Sequence, residues 1–172
     1  TVREVIGRAA SLPTVAPWRV VIFNNADRLN NNGANALLNY GYAVMRATVA
    51  RAVVAAGLHP TIGINHANRT NALALADDLV EPFRPIVDAL VVGMAAHGVD
   101  ALSTEVKRQF ARTIAFDLRI GAETSPVSLA AVRLAQSLAR AFESGRPNLT
   151  LFDPPQPIIV MAEVPDAPPR RF

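Results

Sequence analysis

Residues 36–58, ALLNYGYAVMRATVARAVVAAGL, are the stretch that most limits what this chain can fold into. Apolar side chains recur on nearly every side of a helix with 3.6 residues per turn, so a helix built from this run needs neighbours around it. The run nearly reaches the ~20 residues of a membrane span, but Asn39, Arg46 and Arg51 would then sit in hydrocarbon, where charge is costly. It therefore predicts a central helix of a soluble domain, from Asn35 to near Ala56. Gly57 is placed to take the left-handed cap conformation.

The rest of the chain supplies helices to pack on it. ALALADDLVE (72–81) reads as a short helix that should end at Pro82, because a proline ring disfavours helical backbone in the residue before it. Pro85 can open the next helix, IVDALVVGMAAH, which Gly98 closes. Ser103 can cap TEVKRQFARTIAFDL, and Ser125 with Pro126 opens VSLAAVRLAQSLARAFES, closed by Gly145. Toward the N-terminus, VREVIGRAASL (2–12) has a helical pattern and WRVVIF (18–23) is a β-branched run of strand length. The asparagine-rich NNADRLNNNG that follows reads as a turn region. Six of the thirteen prolines lie in the last twenty residues, so the end reads as an extended tail with at most a short strand at 157–162. The organisation expected is mainly α: an N-terminal helix-strand segment (1–33), a helical bundle-like domain (34–155) and a Pro-rich tail (156–172).

With 172 residues such a domain can bury a core without staples. Cysteine is absent, which excludes disulfides, a thiolate nucleophile and cysteine-ligated zinc. The net charge is only +3, but 16 of the 17 basic residues are arginine, the side chain best suited to bidentate phosphate contacts. No basic-then-apolar leader is visible, so the chain reads as cytoplasmic. No phosphate-binding glycine loop of either common type occurs.

Against this background the polar residues of GINHANRTNALALADDLVEPFRP (63–85) stand out. On a helix Asp78 and Glu81 share a face, as do Asp77 and Glu81, whereas the adjacent Asp77 and Asp78 diverge. Like charges at these spacings repel, so a helix N-terminus, an arginine or a cation should offset them. His66 lies on the preceding loop, which can fold back toward the carboxylates. Imidazole with carboxylate suits Mn²⁺ or Mg²⁺, and such a site can polarise a phosphoryl oxygen. A solvated acidic face paired with arginines accounts for the same spacing. His59 and His97 read as turn and helix-end residues.

The run NALLNYGYAVMRATVARAVVAAGLHPTIGINHANRTNALALADDLVEPFRPIVDALVVG, with the later SPVSLAAVRLAQSLARAFESG, resembles the catalytic helical domain of the CRISPR-associated endonuclease Cas-one, the integrase of spacer acquisition. The type II branch is the most similar. The NALLNYGY opening, the GLHP turn, the fifteen-residue step from His66 to Glu81 and the ADDLVEPFRP ending occur together and in order. The resemblance implies a Mn²⁺ or Mg²⁺ site in which His66 and Glu81 match two ligands and Asp78 an additional acid. It also implies DNA partners (protospacer and CRISPR repeat), a Cas-two partner and a homodimer, with Arg46, Arg51, Arg69 and Arg84 available for phosphate contacts. This sequence departs from the pattern at Asn65, where that branch usually has histidine, and at Thr70 and Leu73, where aromatics are expected.

The family's remaining glutamate ligand would fall near Ala10, and the nearest acid, Glu4, is out of register. Residues 1 to about 38 instead resemble a segment of the DNA polymerase III clamp-loader delta-prime subunit, in which a strand and an ADxLN turn precede a helix starting NALL. Three readings follow: a metal-dependent endonuclease-integrase impaired by the missing glutamate, an inactive DNA-binding remnant, or a clamp-loader-like structural or partner-binding protein.

Overall fold

The computed structural model describes residues 31–66 and 68–153, and for Asn31 and Asn32 the backbone only. The expected helix at 2–12, the strands at 18–23 and 157–162, and the positions of Glu4 and Ala10 lie outside these residues. Helix α1 (Asn31–Ala55) is the axis of the fold. Around it pack α2 (Ala74–Val80), α3 (Arg84–Ala96), α4 (Thr104–Arg112) and α5 (Val127–Ser144). The mainly helical class expected from the sequence is the class observed. Among the described residues no helix is long and apolar enough to cross a membrane.

One core holds these helices together. Leu37, Met45, Val49 and Val53 of α1 meet Leu75 and Leu79 of α2, Ile86 and Val87 of α3, Phe110 of α4 and Leu134 of α5. Phe83 and Phe110 are fully buried, and each such side chain contributes about 1.5–3 kcal/mol of transfer free energy. Phe152, beyond α5, returns to stack on Phe83 with ring centroids 4.7 Å apart. Helix α1 is not covered all round, as its apolar run implied. Asn39, Ala43, Ala47, Arg51 and Val54 form an outer stripe at three- and four-residue steps, and Val54 is 60% exposed. Two of the five residues in that stripe are alanines, so little apolar surface is left in water.

The local punctuation agrees with the sequence at several ends. Gly57 and Gly145 take positive φ, 77° and 66°, at the ends of α1 and α5. The Ser103 side chain accepts a hydrogen bond from the Val106 amide at 3.3 Å. Three expectations are corrected. The α2 helix does end before Pro82, at Val80, but not because Glu81 leaves the helical region: Glu81 keeps helical angles of −52° and −44°, and Pro82 sits in a 3₁₀ turn (Glu81–Phe83) that runs straight into α3. Proline is tolerated there because the first turn of a helix leaves its N–H without a partner anyway. The α4 helix stops at Arg112, and Phe116 is already extended. Thr113–Ala115 tighten into a 3₁₀ turn, and Asp117 and Leu118, expected to continue the helix, open an antiparallel hairpin, β1 (Asp117–Ile120) with β2 (Glu123–Pro126). Ser125 is a ladder residue opposite Leu118, not a helix cap, and its hydroxyl is buried with no hydrogen-bond partner.

Candidate functional site

The polar residues of 63–81 divide between two partners. Adjacent side chains on a helix diverge by about 100°, and Asp77 and Asp78 of α2 leave in different directions. Asp77 turns to α1, where Arg46 grips it with two nitrogens: Nε donates to Oδ1 and Nη2 to Oδ2 at 2.9 Å. Asn71 completes this group, donating to Asp77 Oδ2 at 2.6 Å and accepting from Arg46 Nη2 at 3.1 Å. The Arg46 guanidinium, with Asn71 beside it, holds the Asp77 carboxyl below the usual carboxylate range against the opposing effect of burial. Asp77 in turn raises the arginine. Arg46, expected as a phosphate contact, is thus occupied within the fold.

Asp78 turns to the loop before α2. Its Oδ2 accepts from the amides of Ile64 at 2.5 Å and Asn65 at 3.1 Å. Its Oδ1 accepts from the His66 amide at 3.2 Å and lies 2.5 Å from His66 Nδ1. The Asp78 side chain is 8% exposed and that of His66 43%. Burial pushes this carboxyl up, but the imidazole and three amides outweigh it and hold it below the usual range. The loop can come this close because residue 63 is glycine. A Cβ there would lie 2.5 Å from the His66 carbonyl oxygen and 3.0 Å from Asp78 Oδ2.

Glu81 continues the helical path one turn after Asp78, on the face toward which His66 is drawn. Its carboxylate accepts from Arg84 Nη1 at 3.1 Å, with both side chains about half exposed. An exposed pair at this spacing contributes little, so Glu81 can exchange Arg84 for another cation at small cost. Arg84 also lies over the Tyr42 ring, 4.4 Å from its centroid, and Tyr42 donates to Asp88 Oδ1. Arg51 and Arg69 are exposed. His59 contacts Thr61 Oγ1 at 2.7 Å through Nδ1, and His97 Nδ1 donates to the Gly93 carbonyl at 2.8 Å, as turn and helix-end residues do.

Among the described residues no three histidine, aspartate or glutamate side chains converge as a metal cage. The donor set is nonetheless of the right kind. His66 spends Nδ1 on Asp78 and keeps Nε2, while Glu81 is a carboxylate with only a weak ion pair; an imidazole and a carboxylate without thiolate suit Mn²⁺ or Mg²⁺. The sequence nominates Asp78, Glu81 and His66, whereas Asn71 and Gly63 enter only through the contacts of the folded chain. Asn71 also accepts from the Leu73 amide at 3.0 Å, the local turn asparagine favours before a helix. That preference is a signal; its reach to Arg46 is not.

A protein-family model described as CRISPR associated protein Cas1 matches residues 19–109, which include every residue of this site. The match takes in all of the WRVVIF run but Trp18, and the asparagine-rich turn. The CRISPR-associated endonuclease Cas1 of Neisseria meningitidis serogroup C is 38% identical over 95 residues, 54% of this chain and 31% of that protein. CRISPR-associated endonuclease Cas1 2 of Pyrobaculum aerophilum is 30% identical over 142 residues, 81% of this chain and 48% of that protein. This chain thus spans less than half the length of either relative. Among solved structures, a casposase bound to integration product shares the fold, with a TM-score of 0.60 over 87% of this chain and 48% of that one, at 24% identity.

Proposed function

Because the chain belongs to the CRISPR associated protein Cas1 family, we propose that it serves a metal-dependent DNA endonuclease-integrase of CRISPR spacer acquisition, with His66 and Glu81 as the metal-holding residues. The observation that carries this reading is the fold-back of the 63–66 loop onto α2, which draws His66 to the helix face that Glu81 continues. His66 would offer Nε2 and Glu81 a carboxylate oxygen. The ion, Mn²⁺ or Mg²⁺, supplies Lewis-acid polarisation of a phosphoryl oxygen when bound. The reaction class is transesterification: a DNA 3′ hydroxyl attacks a phosphodiester, a new P–O bond forms and the former 3′ oxygen leaves. That the casposase of like fold was captured with an integration product agrees with this class.

The chain's own residues contribute position and charge. Exposed Arg51 and Arg69 offer phosphate contacts, while Arg84 either neutralises Glu81 or, once released, adds a third contact. Two protein ligands hold a metal loosely, and small misplacements of reacting groups cost orders of magnitude in rate. Activity is therefore expected to be low relative to a complete ligand set. A homodimer and a Cas-two partner belong to the same proposal. The absence of a three-residue cage among the described residues favours one alternative, a DNA-binding remnant without catalysis.

Manganese-dependent nicking and strand joining on a branched DNA separate the two. Activity that falls to background in both His66→Ala and Glu81→Gln supports the enzyme. Activity at the level of those variants in the unaltered chain refutes it, and leaves the remnant if DNA affinity still falls steeply with salt.

A further inference from the structure

The 63–66 loop has the shape of an anion-binding nest whose anion is a side chain of the protein. Three consecutive amides, of Ile64, Asn65 and His66, converge on the Asp78 carboxylate, and the His66 imidazole supplies a fourth contact. A carboxylate has about four acceptor positions, so these contacts leave it none for a metal. Both of its oxygens already accept from amides, so toward the imidazole it is again the acceptor. The 2.5 Å contact with His66 therefore requires the proton on Nδ1, which leaves the Nε2 lone pair free. Gly63 is the hinge side of the same device, because any Cβ there would push the loop off Asp78.

We propose that Asp78 is a positioning residue: its carboxylate clasps the Gly63–His66 loop onto α2 and fixes His66 in the Nδ1–H tautomer, so that Nε2 is the nitrogen presented to a divalent cation. The inference deepens the metal reading above and rests on it for the identity of the cation. Outer-shell carboxylates that orient a ligating histidine typically change metal affinity by about 10–100-fold when removed. In Asp78→Asn the amide oxygen can still accept from the loop, but the NH₂ group faces Nδ1 and makes it an acceptor. The proton then moves to Nε2, the nitrogen needed for the metal. Gly63→Ala perturbs the clasp differently, by lifting the loop without altering a charge.

The test uses the 172-residue chain without metal at about pH 8. Two-bond ¹H–¹⁵N spectra assign the His66 tautomer, and amide exchange is followed at Ile64, Asn65 and His66. The expected result is Nδ1–H in the unaltered chain, Nε2–H in Asp78→Asn, and a mixture in Gly63→Ala with loop amides exchanging about tenfold faster or more. Manganese titration should show affinity at least about tenfold weaker in Asp78→Asn. Retention of Nδ1–H in Asp78→Asn, or unchanged loop exchange in Gly63→Ala, overturns the clasp. An unaltered chain that binds no manganese refutes the metal reading instead, and does so whatever the tautomer and exchange data show.

Discussion

Replacing Gly41 by alanine tests whether α3 and α4 are held to α1 by close approach. In an open helix interior this change stabilises by about 0.8–1 kcal/mol, because glycine loses the most backbone freedom on folding. At residue 41 a Cβ would instead lie 2.5 Å from Val87 Cγ1 of α3 and 2.6 Å from Phe110 Cε1 of α4. Carbon pairs rest at about 3.5–4.0 Å, so both helices must retreat by about 1 Å. Neither side chain can swing aside, since Val87 is 1% and Phe110 0% exposed. Overpacking a dense core costs about 1–3 kcal/mol, and two blocked neighbours place this site at the upper end. After the propensity gain the net loss is about 2 kcal/mol.

In a chain of this size that loss lowers the melting temperature by about 4–8 °C. Urea unfolding followed by circular dichroism should show an earlier midpoint with an unchanged slope, which identifies a stability change and not a change of unfolded state. Val87→Ala in the same background removes one of the two obstructions. The double variant should therefore be more stable than additivity predicts, by at least about 0.5 kcal/mol. A Gly41→Ala protein as stable as the parent, or purely additive energies in the cycle, would refute the close-packing account.

Two pH responses follow from the ion-pair geometry. Unfolded aspartates take up protons near pH ~3.9, before the depressed Asp77 does, so the stability its Arg46 clamp contributes is present above about pH 4 and lost as pH falls through the lower folded value. Asp77→Asn should narrow the gap between melting temperatures at about pH 7 and about pH 3; an unchanged gap would assign the acid sensitivity elsewhere. At the other extreme, burial and then the Asp88 carboxylate push the Tyr42 phenol up to about 12. The unfolded phenol ionises near pH ~10, so this contribution is full below that pH and disappears as pH rises toward the folded value. An absorbance titration of phenolate should lose its latest component in Tyr42→Phe, and a titration identical to the parent's would count against the Tyr42–Asp88 contact.

What the sequence disclosed was whatever local geometry decides. Gly57, Ser103 and Gly145 mark helix ends because caps depend on residues within one turn, and 3.6-residue periodicity placed Asp78 and Glu81 on one face. The hairpin at 117–126 escaped because ARTIAFDL keeps a helical pattern past the true end, while the extended Phe116 has a partner outside that pattern: its carbonyl accepts from the Val127 amide at 2.8 Å. At the site the same division holds within two adjacent residues. Helix geometry alone sends Asp77 and Asp78 apart, but their partners are non-local: Arg46 lies 31 residues upstream, and the loop amides belong to a segment without period. The two acids therefore look equivalent in sequence and are opposite in effect. Asp77 ties α2 to α1, so its loss loosens the scaffold, whereas Asp78 ties the loop to α2, so its loss changes which nitrogen of His66 faces outward. Spacing could nominate the pair, but only the partners decide which member sets the chemistry.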